Sequence, residues 1–361
     1  MHPAASHHKI AIVIRGAVLA VLIATAAGIG ATAARVPTTG LTAPGETRGD
    51  PVPLGDEGTI GPWSLRVIEV LAGPPATDLV VAAAPTNVPP RDGFTYVVIR
   101  LGIRNNGDQP LAIDGHDFAI TGASGLVRRF VGVEPPAPAL GAAVAPGETV
   151  EGWVVLGAPT DETSLLLLFD SLALPGAWAD RLFALSADAT IPAPTAPALP
   201  PNELGRDPAA PAPPNTPVVT TEWGIELLEV VRGAAVFDLV DYRTGALGVD
   251  DATGVSDGTE WLALRVRITN TRAGAETIAQ PDVLPPGAFA LVDESGAPLR
   301  DVATLTPPVP DAAGAYFAGA VREGWVSFEL PTGYGGTTVR FLPFASDADP
   351  RFLRFGEPAP G

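Results

Sequence analysis

One histidine beyond the first 35 residues stands between two aspartates, in the stretch Asp114-Gly-His116-Asp117. An imidazole beside carboxylates could act as a general base or bind a metal ion. The alternative is a polar turn that opens the strand of Phe118. We favour the turn, because the matching position in a second, similar stretch reads Pro-Pro-Gly-Ala-Phe289 and has no histidine.

An acidic loop is the second place where chemistry could occur. Its carboxylates belong to Asp250, Asp251, Asp257 and Glu260. They could hold a calcium ion, but the spacing differs from the helix-loop-helix calcium loop, since Ala252 and Gly254 stand where that loop requires ligands. A solvated turn is therefore the favoured interpretation, and a ligand or divalent-cation sensor module is the alternative function.

The residue types that the chain contains limit the kinds of chemistry that it could perform. The chain has no cysteine, which excludes thiolate nucleophiles, disulfides, cysteine-bound metals and the lipid-attachment cysteine of bacterial lipoproteins. It also has no glycine-rich phosphate loop, serine nucleophile elbow or dinucleotide fingerprint. We therefore predict no catalytic residue, no cofactor and no enzyme activity. An enzyme would have to work with carboxylates alone, as in glycoside hydrolysis. The formal charge of -18 repels phosphate backbones, so nucleic acid is not expected as a partner.

The elements that would position these residues are predicted from an internal repeat. Residues 257–270 alternate apolar and polar side chains with the period of two that is typical of a strand, and residues 92–105 follow the same plan. Four matching blocks in the same order predict a duplicated domain. The blocks are 63–73 with 223–233, 92–105 with 257–270, 118–125 with 289–296, and 151–159 with 323–331.

The apolar face switches sides within 63–73 and again within 223–233, which predicts a β-bulge or a strand crossing in each repeat. Short strands, together with 40 Gly and 40 Pro, indicate an all-β fold of two tandem immunoglobulin-like antiparallel β-sandwiches. The predicted segments are a signal anchor or signal peptide (1–35), a flexible tether (36–53), sandwich 1 (54–186), a Pro-rich linker (187–217), sandwich 2 (218–355) and a tail (356–361).

The N-terminal segment predicts export. Lys9 and Arg15 precede an uncharged run of 19 residues, 16–34, about the length that crosses a bilayer as a helix. It could be a signal peptide that ends at Ala31-Thr-Ala33 or an uncleaved anchor. In the first case the protein is secreted. In the second it lies in the cell membrane with the bulk of the chain extracytoplasmic, and the N-terminal helix is its only membrane contact.

A strand that ends in Asn, a Phe-x-Leu with a following Ser-Gly, a Pro-Gly-Glu, and a Gly-x-x-x-Phe-x-x-Pro follow one another in the chain. This order resembles a family of bacterial extracellular immunoglobulin-like domains of unknown function, of the immunoprotective secreted antigen and lipoprotein domain type, in two tandem copies. The resemblance implies a fold and an exported location, and it carries no catalytic residue. The matching residues are Asn105, Phe118, Pro146, Gly147, Glu148, Gly152 and Pro159, and Asn270, Phe289, Leu291, Gly324, Phe328 and Pro331. The second repeat lacks the Pro-Gly-Glu, and the first has Leu156 in place of the second Phe.

Two surfaces are candidates for binding a partner. Aromatic residues beside arginines on the predicted outer faces of both repeats could form a recognition surface, or they could steady the sheet by cross-strand packing. These residues are Tyr96, Arg100, Trp153, Trp261, Arg265 and Trp325. The second surface is that of Leu166 and Leu168, where the second repeat has Thr338 and Arg340. This one-sided apolar face predicts a cover, which could be residues 177–185, the second repeat or a partner protein.

The sequence thus predicts an exported, envelope-associated binding or structural protein without enzyme activity. Its partner would be an envelope protein or polymer that the residues do not identify.

Overall fold

A computed structural model describes residues 43–129, 131–169, 180–189, 191, 199–239, 258–272, 281–299, 302–305, 307–342 and 349–356. These residues form an all-β structure of antiparallel sheets, as the sequence predicts. We call residues 43–191 the first sandwich and residues 199–356 the second sandwich. The predicted N-terminal helix lies outside the described residues. Within the described ranges, no helix has both the length and the apolar character needed to span a membrane.

The described residues of the first sandwich form ten strands, one α-helix and a 3-10 helix (Gly115–Asp117). In chain order they are β1 (Glu57–Ile60), β2 (Trp63–Ala72), α1 (Pro74–Ala83), β3 (Phe94–Asn105), β4 (Leu111–Asp114), β5 (Phe118–Thr121), β6 (Leu126–Val127), β7 (Gly141–Val144), β8 (Thr149–Pro159), β9 (Leu166–Phe169) and β10 (Arg181–Ala184). The central sheet has the order β1-β2-β3-β8, and it faces a smaller sheet of order β10-β9-β5.

The second sandwich repeats this plan. Its strands are β11 (Val218–Val219), β12 (Trp223–Arg232), β13 (Thr259–Asn270), β14 (Asp282–Leu284), β15 (Phe289–Leu291), β16 (Ala303–Leu305), β17 (Gly314–Tyr316), β18 (Val321–Pro331), β19 (Thr338–Phe341) and β20 (Arg351–Arg354). Among the described residues, the 3-10 helices Gly233–Leu239 and Pro286–Ala288 interrupt the strands. The central sheet has the order β11-β12-β13-β18-β16, and the smaller sheet has the order β15-β19-β20.

The predicted irregularity in the first long strand of each repeat is a β-bulge. Val67 pairs with Leu101 and Glu69 with Arg100, which leaves Ile68 as the extra residue of β2. The register of β12 shifts in the same way between Leu227 and Glu229. The bulge explains why the apolar residues change face at this point in both strands.

Each sandwich has its own core between its two sheets. In the first, Trp63 of β2 and Leu167 of β9 belong to one buried cluster that contains residues of both sheets. In the second, Trp223 packs edge-on against Tyr316, with ring centroids 5.5 Å apart. The alternating residues of β13 that the sequence assigns to the core, from Leu262 to Ile268, are all buried.

The segments predicted as a flexible tether and a Pro-rich spacer are packed where the structure describes them, and this corrects the sequence interpretation. Val52, between Pro51 and Pro53, exchanges two backbone hydrogen bonds of 2.8 Å with Leu182 and Ala184 of β10. Ala212, between Pro211 and Pro213, bonds in the same way to β20. One non-proline residue is enough to provide both the N–H and the C=O groups. Each Pro-x-Pro therefore covers an edge of the smaller sheet.

Candidate functional site

The aromatic residues predicted on the outer sheet faces are covered rather than exposed. Tyr96 is 5% and Trp261 4% exposed. In the first sandwich the cover is α1, whose buried residues Ala76 and Val80 pack with Tyr96 and Val98. The Tyr96 hydroxyl donates a 2.8 Å hydrogen bond to the carbonyl oxygen of Val88, beyond the helix.

The 3-10 helix Gly233–Leu239 takes the place of α1 in the second sandwich. Its Val236 is fully buried and packs with Trp261, Ala263 and Trp325. Trp325 is 7% exposed, and its counterpart Trp153 is partly buried against the α1 cluster. The aromatic residues are covered, and not exposed as the sequence predicts, because each helix follows directly on the first long strand and folds back over the outer face of its own sheet.

The arginines of the predicted surface remain half-exposed, and each is paired with a glutamate. Arg100 donates to Glu151 at 2.7 Å, with 38% of the arginine side chain exposed. Arg265 contacts Glu229 at 3.2 Å and also Glu323. Glu229 is thus the partner of an arginine. The pairs are charged patches of the surface rather than free cationic sites.

Two more residues extend the second sandwich's pairs into a ladder. Arg267 lies between Glu226 and Glu323, with 2.7 Å to the latter. Hydrogen bonds from Arg265 and Arg267 hold the pKa of Glu323 below its usual value. The same bonds to Glu323 raise the pKa of both arginines. The first sandwich has Arg66 and Gly102 at the positions of Glu226 and Arg267, so this ladder is specific to the second.

The apolar face of Leu166 and Leu168 is covered by the chain itself. Both leucines are fully buried in a cluster to which the second sandwich contributes Ala315 and Phe317, and residues 180–191 contribute four members. Those four are Leu182, Ala184, Ala189 and Ile191. The cover therefore combines two of the three predicted alternatives, and neither leucine is accessible to a partner protein in this conformation.

A short strand pairing accompanies this cluster. β6 of the first sandwich pairs with β17 of the second and completes the sheet β14-β17-β6, with Val127 opposite Ala315 and Leu126 opposite Tyr316. Leu126 enters the core cluster of the second sandwich. We call this sheet and the Leu166–Leu168 cluster the seam.

Arg48 strengthens the seam from the N-terminal side. Its guanidinium lies 4.5 Å from the centroid of the Phe317 ring and donates to the carbonyl oxygen of Ala318 at 3.3 Å. Sequence reasoning missed Arg48, Leu126 and Phe317. The one available signal was the apolar pair Leu126-Val127 after the Ser-Gly turn, since the second repeat has Ala297-Pro298 there.

The structure describes one of the two candidates for acid–base or metal chemistry and part of the other. His116 lies in a 3-10 turn, where its ring Nδ1 is 3.1 Å from Asp114 Oδ1, and the side chains of Asp114 and Asp117 cap the turn. Glu260 of the acidic loop pairs with Arg232 at 2.9 Å. Asp250, Asp251 and Asp257 lie outside the described residues. Among the residues that are described, no three metal-binding side chains come together.

A small cleft of about 30 Å³ opens in the second sandwich between Pro286, Phe289 and Asp311. Burial raises the pKa of Asp311, and the hydroxyl of Ser327 on the cleft wall is buried without a hydrogen-bond partner. A volume of this size admits water-sized groups.

Comparison with known proteins finds a family match within the first sandwich. Residues 53–179 match the family described as Domain of unknown function (DUF4352). No curated protein matches the chain.

Among solved structures, the chain is similar to the yjhA protein from Bacillus subtilis, with 15% identity and a TM-score of 0.28 over 37% of this chain and 99% of that one. It is also similar to the candidate lipoprotein ycdA from Bacillus subtilis, with 12% identity and a TM-score of 0.28 over 36% of this chain and 38% of that one. A third is an uncharacterized β-sandwich protein from Clostridium difficile, with 13% identity and a TM-score of 0.27 over 41% and 99%.

The motif residues inside the DUF4352 match have structural roles. Asn105 is fully buried, and its side-chain amide donates to the carbonyl oxygens of Gln109 and Val144 at 2.7 and 2.9 Å. A Cβ on Gly152 would lie 2.7 Å from the backbone nitrogen of Leu140, so only glycine allows this close approach. Gly324 has the same relation to Ala312 in the second sandwich.

The missing Pro-Gly-Glu of the second repeat is replaced by another turn in the same place. In the first sandwich the N–H of Gly147 donates to the carbonyl oxygen of Asn105 at 2.7 Å. In the second, the N–H of Gly319 donates to that of Asn270 at 3.0 Å. Both glycines have a positive φ, of 74° and 79°. The turn geometry is therefore shared even though the motif is not.

Proposed function

We propose that this protein is an exported, envelope-associated binding or structural protein without enzyme activity, and that its second sandwich is a second copy of the DUF4352 domain. The observation that supports a binding or structural role is the seam. Strand pairing, the insertion of Leu126 into the second core and the burial of Leu166 and Leu168 hold the two sandwiches together. A chain built in this way presents two charged outer sheet faces at a fixed spacing.

The second copy is supported by the repetition of particular contacts. The bulges at Ile68 and Leu228 and the packing of Gly152 and Gly324 occur at matching places. So do the backbone hydrogen bonds from Trp153 to Pro138 and from Trp325 to Pro310. The exported location is supported by the N-terminal sequence, in which basic residues precede an apolar run.

The face that would contact an envelope protein or polymer is the one that carries Arg100 and Glu151. These side chains are 38% and 45% exposed, and they border the covered aromatic cluster. Arginine beside aromatic residues is a favoured composition of binding sites. The matching face of the second sandwich carries Arg265.

A charge-swap variant tests this assignment. Arg100→Glu combined with Glu151→Arg retains the ion pair but inverts the positions of its charges. Full-length wild type is expected to sediment saturably with isolated cell envelopes, and the swap is expected to weaken this binding by roughly ten-fold or more, the loss that a contact of about 1.4 kcal/mol would give. The matched control swaps the exposed pair of Arg206 and Glu203. Equal binding by wild type and both swaps, or no saturable binding by any of them, would contradict the proposal.

A further inference from the structure

Two arginines, one from each sandwich, meet at the seam. Val127 lies opposite Ala315 in the β6–β17 pairing, so the next residue, Arg128, lies opposite Gly314. A Cβ on Gly314 would lie 2.9 Å from Nη1 of Arg322, which comes from β18 of the second sandwich. Gly314 has a φ of 147°. Its missing side chain therefore leaves space for the Arg322 guanidinium at the place where Arg128 stands in the pairing.

Neither guanidinium has a carboxylate partner within the described part of the chain. Nη1 of Arg322 donates to the carbonyl oxygens of Asp311 and Ala313, at 3.2 and 2.9 Å. Nη1 of Arg128 is buried and has no hydrogen-bond partner. A buried, unpaired N–H of a charged group is costly, and the cost is greater beside a second positive charge.

The charged groups that act on Arg128 come from several elements. Burial is the largest effect and lowers its pKa, and the charge of Arg322 lowers it further. Glu162 and Asp161 oppose this effect, and Arg91 adds to it. Glu162 is itself engaged, since it accepts hydrogen bonds from the backbone N–H and the hydroxyl of Ser124 at 2.8 and 2.6 Å. The Asp311 carboxylate also acts on Arg322. Carboxylates therefore lie near the two arginines, although in the described part of the chain none is within ion-pair distance of either guanidinium.

The internal repeat does not explain why arginines stand at positions 128 and 322. Arg128 exchanges backbone hydrogen bonds with Ile120, and in the second sandwich the residue whose N–H donates to the carbonyl oxygen of Leu291 is Leu299. Arg322 pairs with Ile268, whereas the first sandwich has Val150 opposite Ile103. Leu299 and Val150 both pack against the core of their own sandwich. Each arginine therefore stands where the other copy has an apolar residue, and both substitutions fall at the same point of the seam.

We propose that Arg128 and Arg322 form a binding site for an oxyanion, the carboxylate or phosphate group of a small ligand, at the seam between the two sandwiches. Guanidinium groups bind such oxygens through paired N–H donors, and an anion between them would balance the two charges. Arg128 would bind it with the N–H groups that it does not use within the chain. Arg322 would hold it with the edge of its guanidinium that is turned away from the carbonyls of Asp311 and Ala313. This inference goes beyond the proposed function and does not depend on it, because the site needs no envelope partner.

A melting experiment tests the site with defined anions. The full-length protein, in a non-ionic detergent that keeps its N-terminal apolar segment in solution, is titrated with sodium phosphate and separately with sodium acetate. Each titration is compared with sodium chloride at the same ionic strength. We expect the melting temperature to rise saturably with at least one of the two oxyanions and not with chloride. The anion that binds distinguishes a phosphate site from a carboxylate site.

Three variants locate the effect. Arg128→Gln and Arg322→Gln are each expected to weaken binding by roughly ten-fold or more, as the loss of a charge-assisted hydrogen bond would do. The control Arg104→Gln, an exposed arginine of β3, is expected to bind like wild type. A rise that matches chloride for both oxyanions, or one that persists in Arg128→Gln and Arg322→Gln, would overturn the proposal.

A structural role for Arg128 makes a different prediction from a binding role. Without an oxyanion, Arg128→Gln relieves the repulsion from Arg322, so its melting temperature is expected to equal or exceed that of wild type. A lower melting temperature together with unchanged oxyanion binding would show a structural role only. If Arg128→Gln does not fold, Arg128→Lys retains the charge without the planar fork. Undiminished oxyanion binding by Arg128→Lys would then count against the site.

Discussion

Glu323 shows how single residues organise the outer face of the second sandwich. One of its carboxylate oxygens accepts from Arg265 and the other from Arg267, while each arginine has a second glutamate on the neighbouring strand. Every group of the network except Glu226, whose side chain is 17% exposed, is more than one third exposed. The pairs between exposed groups therefore stabilise the fold by less than about 1 kcal/mol each. The network's larger effect is to fix the positions of the charges on this face.

The lowered pKa of Glu323 predicts a pH dependence. Its ionised form is favoured in the folded state, so its contribution to stability is present above its unfolded pKa of about 4.3 and is lost as the pH falls through the lower folded value. We expect the melting temperature of Glu323→Gln to fall less steeply below about pH 4 than that of wild type. Melting curves from pH 2 to 7 measure this. Glu57→Gln, which removes an exposed carboxylate of β1, should retain the wild-type slope.

The burial of the core-facing side chains of β13 could be predicted from the sequence, whereas the burial of its outward-facing side chains could not. Leu262 and Ile268 are buried as their alternation indicates. Trp261 has the opposite parity and is buried too, because the following 3-10 helix covers it. Period-two alternation reports which residues share a face. It does not report what covers that face, and this depends on contacts between elements.

At the level of whole elements, the N-terminal segment of each sandwich also makes contacts that its sequence composition does not predict. A proline-dense composition indicates an extended chain, and residues 43–53 and 199–217 contain few regular ladder contacts. They nevertheless cover the edges of β10 and β20 through Val52 and Ala212, the single non-proline residues of two Pro-x-Pro triplets. Composition predicted the conformation of these segments but not their docking.

Val52 and Leu54 offer a matched test of that docking. Val52 is 2% exposed and belongs to the core cluster of the first sandwich, while Leu54 is 39% exposed. We expect Val52→Asp to lower the free energy of unfolding by about 2 to 4 kcal/mol, because it buries a carboxylate in an apolar site. Leu54→Asp should change it by less than about 0.5 kcal/mol. Urea unfolding of both variants measures the difference, and equal values would show that the segment is a free tether.

For the whole molecule, the asymmetry of Leu166 and Leu168 is explained by the seam. The sequence showed that these leucines need a cover and that Thr338 and Arg340 do not, but it left the cover open because the contact is not repeated within the chain. The structure supplies Ala315 and Phe317 of the second sandwich, beside the short β6–β17 pairing. One sandwich contributes an apolar face and the other a strand edge, so the contact is heterologous.

A shared apolar cluster of this kind predicts that the two sandwiches unfold together. We expect calorimetry of the wild type to show one transition for both, with a calorimetric enthalpy equal to the van't Hoff enthalpy. The double variant Leu166→Thr with Leu168→Arg gives the first sandwich the residues of the second. It should destabilise the first sandwich by more than about 3 kcal/mol, because an arginine is then buried without a partner, and it should split the transition into two.

The matched control for that variant is Leu126→Ala. This change removes the side chain that the first sandwich inserts into the second core and leaves the Leu166–Leu168 cluster unchanged. Leu126→Ala should destabilise the protein by about 2 to 5 kcal/mol, the usual cost of truncating a buried leucine. The transition should split less than in the double variant, because burying a charge disrupts an apolar contact more than shortening a side chain does. Two separate transitions in the wild type, or one unshifted transition in the double variant, would mean that the seam does not couple the sandwiches.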